Sequence, residues 1–160
     1  EKRKRIGDVE VYLVLGMNHQ PGLLVITDRA SLKTSLTKIQ TKASARIAKD
    51  IIRKMKPCEN WIKTMTYDND MAFTRHQKIN EVLGTKSFFT HPYTSQDKGT
   101  VENRIGVIRR FFPKKTDFTK VTHQQVKQVE KMINERPVRK FKYQTPNTVF
   151  LQKLKVALID

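Results

Sequence analysis

The sequence predicts an α/β domain built on a mixed five-stranded sheet with helices on both faces. Three observations carry this expectation. Residues 6–16 alternate and then turn apolar, 23–27 are a short apolar run and 33–39 alternate again, with turn residues between the runs. Helical spacing replaces that alternation at Ala45 and returns repeatedly after Thr100. Short strand-like runs then interleave with the helices, an order that 160 residues accommodate most simply as one layered domain with a sizeable core.

The elements follow in order. Residues 6–16, IGDVEVYLVLG, alternate and then turn apolar, a strand ending at Gly16. Asn18, His19, Gln20, Pro21 and Gly22 make a turn, and residues 23–27, LLVIT, form a second strand. A third covers residues 33–39, so the first three strands read as an antiparallel meander. Ala45, Ile47, Ala48, Ile51, Ile52 and Met55 recur at helical spacing until Pro57. Residues 61–66 read as a fourth strand that delivers Tyr67 and Asp68. A short helix at residues 76–83 closes at Gly84, and residues 87–89 form a fifth strand. Residues 90–99 read as loop and 100–112 as a helix ended by Pro113. Thr122 is the N-cap of a helix reaching Glu135, and Thr145-Pro146 opens a last short one.

Charge points to a polyanionic partner. Lys and Arg number 32 against 15 Asp and Glu, a formal net charge of +17. Nucleic acid is the simplest such partner, because counterion release drives binding. The single cysteine, Cys58, excludes an internal disulfide and a Cys-based zinc site. No apolar run approaches the ~20 residues of a membrane span, and no secretory signal is visible. The expected setting is a reducing cytoplasm.

Two acids stand out. Asp68 lies at the C-terminal end of the fourth strand, where α/β sheets place their sites. Glu102 lies on the helix whose Val101, Ile105, Ile108 and Phe112 form an apolar stripe. It borders that stripe, with Lys98, Gly106 and Arg109 on its side. An acid among cations suits a metal site abutting phosphate; a solvated face with surface ion pairs is the plainer reading.

The segments TYDND with MAF, HPYTSQDKGTVENRIGVIRRFFPKKTDF and INERPVRKFKYQTPNTVF together resemble the DDE insertion-sequence transposases with a retroviral-integrase-like catalytic core. The resemblance covers nearly the whole chain. It implies a ribonuclease-H-like fold, a single integrase-type core over residues 1–160 lacking the N-terminal DNA-recognition segment, and metal-dependent cleavage and strand transfer at transposon ends and target DNA. It implies Asp68 and Glu102 as the second and third metal-binding acids, two Mg²⁺ (or Mn²⁺) ions in an intact site, and a homodimer or higher multimer. Two such ions activate the attacking oxygen and stabilise the leaving one in an in-line displacement at phosphorus.

The sequence departs from the family at the first acid. The pattern G-x-W-E-x-D, laid on Gly7-Asp8-Val9-Glu10-Val11-Tyr12, puts Tyr12 in the slot of the catalytic Asp. A phenol stays neutral near pH 7 and ligates Mg²⁺ poorly. Along a strand, Asp8 stands about 13 Å from position 12 and Glu10 about 6.6 Å, so only Glu10 is close enough to lean in. The expectation is a core that keeps its fold and DNA binding but has lost its chemistry. The alternative is a non-catalytic basic nucleic-acid-binding domain.

Lys98, Arg104, Arg109, Arg110, Lys114 and Lys115 crowd around Glu102 as candidate phosphate contacts. Asn69 and Asp70 read as turn caps or as metal or DNA contacts, and Asn103 as a cap or a DNA contact. His76 and His91 read as ordinary polar residues or as groups that position a nucleophile. Phe88, Phe89, Tyr93, Phe111 and Phe112 interleave aromatics with the cations, and Phe111 and Phe112 read as core.

Overall fold

The structure, a computed structural model, describes residues 5–90 and 95–159, with backbone only for 95–98 and 159. Its strands are β1 (Asp8–Leu15), β2 (Pro21–Asp28), β3 (Thr34–Lys38), β4 (Thr64–Tyr67) and β5 (Lys86–Phe89). Its helices are α1 (Ser44–Met55), α2 (His76–Leu83), α3 (Ser95–Phe111), α4 (His123–Asn134) and α5 (Pro146–Ile159). The sheet order is β3-β2-β1-β4-β5. The first three strands are antiparallel neighbours, while β4 and β5 run parallel to β1.

Strand alternation sorts the core into two layers. Val9, Val11, Leu24, Ile26, Met65 and Tyr67 face α1 and α2, against Ile47, Ile51, Met55, Ile79 and Leu83. Tyr12, Val14, Leu23, Val25 and Leu36 face the other way, against Ile108 of α3, Phe112 just past its end, and Val126, Val129 and Ile133 of α4. Burying each of the larger apolar side chains contributes about 1.5–3 kcal/mol. The cap expected at Thr122 is present as a full capping box: its hydroxyl accepts from Gln125 N at 3.1 Å, and Gln125 Oε1 accepts from Thr122 N at 2.8 Å.

The boundaries differ from expectation in four places. The fourth strand begins at Thr64 rather than at Trp61. Gly7, at φ +98, turns its carbonyl onto the N–H groups of Lys63 and Thr64 at 2.8 and 3.1 Å, and this starts the β1–β4 pairing. Trp61 instead packs its ring edge-on against Phe150 of α5, centroids 4.8 Å apart. The third helix begins at Ser95, inside the segment expected to be loop. The last helix runs fourteen residues and is not short. Pro57 ends α1 as expected, but the chain continues through one 3-10 turn, Lys56–Cys58. Among the described residues no helix is long and apolar enough to cross a membrane.

The two edges of the sheet are finished differently. At β3, α4 lies along the edge. Asn134 brackets Thr34, accepting from its N–H and donating to its carbonyl, both at 2.8 Å, and Glu130 Oε2 accepts from Leu36 N at 2.8 Å. At β5, Lys86, Phe88 and Phe89 are exposed.

Candidate functional site at the open end of the sheet

Asp68 follows the last residue of β4. The parallel register pairs Val11 with Tyr67, so the next positions on the two chains are Tyr12 and Asp68. Val11 and Tyr67 both face α1 and α2; alternation therefore turns positions 12 and 68 to the opposite face. Asp68 is exposed there, with Thr90 Oγ1 at 3.4 Å from its Oδ1. Glu102 is also exposed, on α3, the helix that covers Tyr12's face of the sheet.

The turn after Asp68 explains its neighbours. Asn69 Nδ2 donates to the Thr90 carbonyl at 2.8 Å, tying the tip of β4 to the end of β5. Asp70 caps the 3-10 turn Met71–Phe73 by accepting from Ala72 N at 2.8 Å, and it pairs with Lys42 at 3.3 Å. Asp70 is thus the turn cap, while Asn69 serves as a cross-link between the two strand ends.

Tyr12 is not positioned as a ligand. Its side chain is 2% exposed and lies inside the α3–α4 core layer. Its hydroxyl is 3.4 Å from Thr27 Oγ1, which is 3.3 Å from Thr34 Oγ1. Burial, opposed by the Thr27 bond, pushes the phenol well above its ordinary range, so it is neutral. The slot that the family pattern gives to its first acid therefore holds a side chain engaged in packing. Glu10 does not lean in either. It is 3% exposed and pairs with Arg29 at 3.2 Å.

Two of the expected phosphate contacts are internal. Arg104 is 3% exposed, with Nε and Nη2 donating to Thr34 Oγ1 at 3.3 and 3.2 Å. Burial lowers its pKa, while the nearby Tyr12 opposes that shift. Arg109 donates through Nη2 to the Leu15 carbonyl at 3.0 Å and through Nη1 to the Phe112 and Pro113 carbonyls at 3.4 Å. Arg104 is sealed under α3 and unavailable to a phosphate; the guanidinium of Arg109 staples the end of α3 to β1. The buried stripe of α3 is Thr100, Arg104 and Ile108, continued by Phe112 one residue past the helix, with Val101 and Ile105 half-buried. It is rotated one residue from the expected stripe, toward Arg104. Arg110, Lys114 and Lys115 are exposed. The side chain of Lys98, and all of His91 and Tyr93, lie outside the described residues. His76 packs edge-on against Phe89 at 4.9 Å as part of an aromatic cluster with Tyr67. Phe112 is core as expected, whereas Phe111 is 37% exposed.

Sequence reasoning did not single out Thr90 or Lys86. Alternation along β5 is the signal that finds them: residues 86, 88 and 90 share the face of Asp68.

No protein-family model matches the chain. The transposase of insertion sequence element IS4351 from Bacteroides fragilis is 37% identical over 152 residues, 95% of this chain and 47% of that protein. Transposase InsI of IS30A from Escherichia coli (strain K12) is 29% identical over 161 residues, 100% of this chain and 41% of that protein. A probable transposase of the insertion-like element IS1161 from Streptococcus salivarius is 31% identical over 150 residues. Among solved structures, the catalytic core domain of BIV integrase superposes with a TM-score of 0.73 at 15% identity, covering 95% of this chain and 98% of that one. Over nearly its whole length the chain is similar to insertion-sequence transposases, and it shares the fold of integrase catalytic cores. Its fold is the ribonuclease-H-like fold of the integrase cores. The chain spans about half the length of the curated relatives it matches.

Proposed function

We propose that this chain is the DNA-holding core of a transposase in which strand cleavage and strand transfer are blocked at position 12. One observation carries the reading: the residue beside Asp68 on β1 is a buried, neutral tyrosine whose hydroxyl is turned to Thr27. Transposases of this type generally use divalent metal ions, held between carboxylates. The residues here do not fit a two-ion site. Asp68 and Glu102 offer exposed carboxylates, but the bridging place holds a phenol, and Glu10 is committed to Arg29. Among the described residues no three His, Cys, Asp or Glu side chains gather as a metal-binding group.

DNA binding rests on different features. The net charge of +17 and the exposed Arg110, Lys114 and Lys115 supply a sequence-tolerant attraction for phosphates. The partners proposed are transposon ends and target DNA, held by a homodimer or higher multimer.

The test is nicking of supercoiled plasmid in Mg²⁺ and Mn²⁺. The unaltered chain is expected to bind the plasmid and leave it closed. Tyr12→Asp is expected to nick it, and adding Asp68→Asn to that variant to abolish the nicking. Efficient nicking by the unaltered chain would overturn the blocked-site reading; failure to bind DNA at low salt would overturn the DNA-holding one.

A further inference from the structure

We propose that Phe88 is a stacking platform for a DNA base displaced from the helix, with the phosphate of that nucleotide on the neighbouring Lys86. The inference deepens the DNA-holding reading above and rests on it.

The side of the sheet that carries Asp68 is covered unevenly. Over β1, β2 and β3 it is sealed by α3 and α4. Over β4 and β5 it is open: Thr64 and Thr66 are half-buried, while Met65 and Tyr67, pointing the other way, are fully buried. The open strip has two rows. Thr64, Thr66 and Asp68 form one; Lys86, Phe88 and Thr90 form the other, with Lys86 opposite Thr64 and Phe88 opposite Thr66. Thr90 reaches Asp68 at 3.4 Å, so the second row ends on the acid.

Phe88 is the one apolar side chain in this strip, and it is 53% exposed. Sheet edges usually show charge rather than aromatic surface, because an exposed apolar edge invites unwanted pairing. Among the described residues the aromatic contacts engage Phe89, on the opposite face, with Tyr67 and His76, and none engages Phe88. What the strip offers a ligand is a cation, then a flat apolar ring, then a hydroxyl beside an acid. Lys86 and Phe88 stand about 6.6 Å apart along the strand, a separation that suits one nucleotide with its phosphate at Lys86 and its base on Phe88, while the Asp68 carboxylate marks the end of the strip that phosphates avoid. Stacking on an aromatic ring is sequence-tolerant, since every base has a π-face.

The experiment uses the whole chain and a short duplex carrying one 2-aminopurine and an end label. Binding is followed by anisotropy, and the state of the base by 2-aminopurine fluorescence. With the unaltered chain the 2-aminopurine emission should change on binding when the probe lies within two nucleotides of the contacted phosphate. Phe88→Ala should remove that change and weaken binding about five- to hundredfold, the range for loss of one base–aromatic stack. Phe88→Trp should keep the affinity, with its indole emission quenched by DNA. Thermal melting of each variant controls for folding.

Unchanged affinity and unchanged 2-aminopurine emission in Phe88→Ala, with DNA still bound, would overturn the stacking inference alone. Absence of DNA binding by the unaltered chain would overturn it together with the DNA-holding reading. A DNA-independent dimer abolished by Phe88→Lys, with no base signal, would replace it with edge pairing between two copies.

Discussion

The two edges of the sheet solve one problem in opposite ways. An edge strand presents N–H and C=O groups that lack a neighbour. At β3 those groups are taken up by α4, with Asn134 on Thr34 and Glu130 on Leu36. At β5 the outer strand is short, carries Lys86 and Phe88 to solvent, and ends beside Asp68. The closed half holds two residues that the sequence offers as candidates, Arg104 and Tyr12, with their polar atoms turned inward onto Thr34 and Thr27. The open edge keeps its polar groups available. Burial therefore separates the two kinds of residue better than residue type does.

The sharpest break of this comparison is at Tyr12. Tyr12→Ala removes a 2%-exposed ring from the α3–α4 layer and should cost about 3–5 kcal/mol in urea unfolding. Tyr12→Phe should cost no more than about 1 kcal/mol, because the hydroxyl makes only the 3.4 Å contact to Thr27. An equally large loss in both would mean the hydroxyl, not the ring, matters at this position.

The two edges should then part company under parallel truncations. Asn134→Ala leaves a buried N–H and a buried C=O of Thr34 without their partner, which should cost about 2–4 kcal/mol. Phe88→Ala on the open edge should stay within about 0.5 kcal/mol. Equal losses at both would show that β5 is as structural as β3.

The smallest effect belongs to the start of β1, beside the open half. Burial would raise the pKa of Asp8, but hydrogen bonds from Arg5 and Thr64 outweigh it, and the folded value falls below the usual 3.8. A lowered carboxyl contributes stability that is present above the unfolded value and lost as pH falls through the folded one. Asp8→Asn should therefore flatten the acid limb of the stability profile below about pH 4 and change little at pH 7. A profile that stays equally steep would assign the acid limb to other groups.

Much of the fold was legible because it follows periodicity. The five strands, the α1 stripe and the Thr122 cap all depend on residues a few positions apart. What sequence missed depends on distant partners. Trp61 and Ile62 look like strand residues, yet Trp61 is claimed by Phe150, far along the chain. Arg104 looks like a surface cation until Thr34, seventy positions away, fixes it inside. At the site, the family pattern pointed to Asp68 and Glu102 and to Tyr12 as the departure from it. It carried no information on where the phenol would point, since that depends on the packing of α3 over β1 and β2.

The most direct measurement is Mn²⁺ titration followed by electron paramagnetic resonance on the unaltered chain and on Tyr12→Asp. The account predicts that the tyrosine form takes up no coupled pair of ions, and that the aspartate form gains one that disappears when Asp68 is also removed. A coupled pair bound by the unaltered chain, and lost with Asp68→Ala, would contradict it.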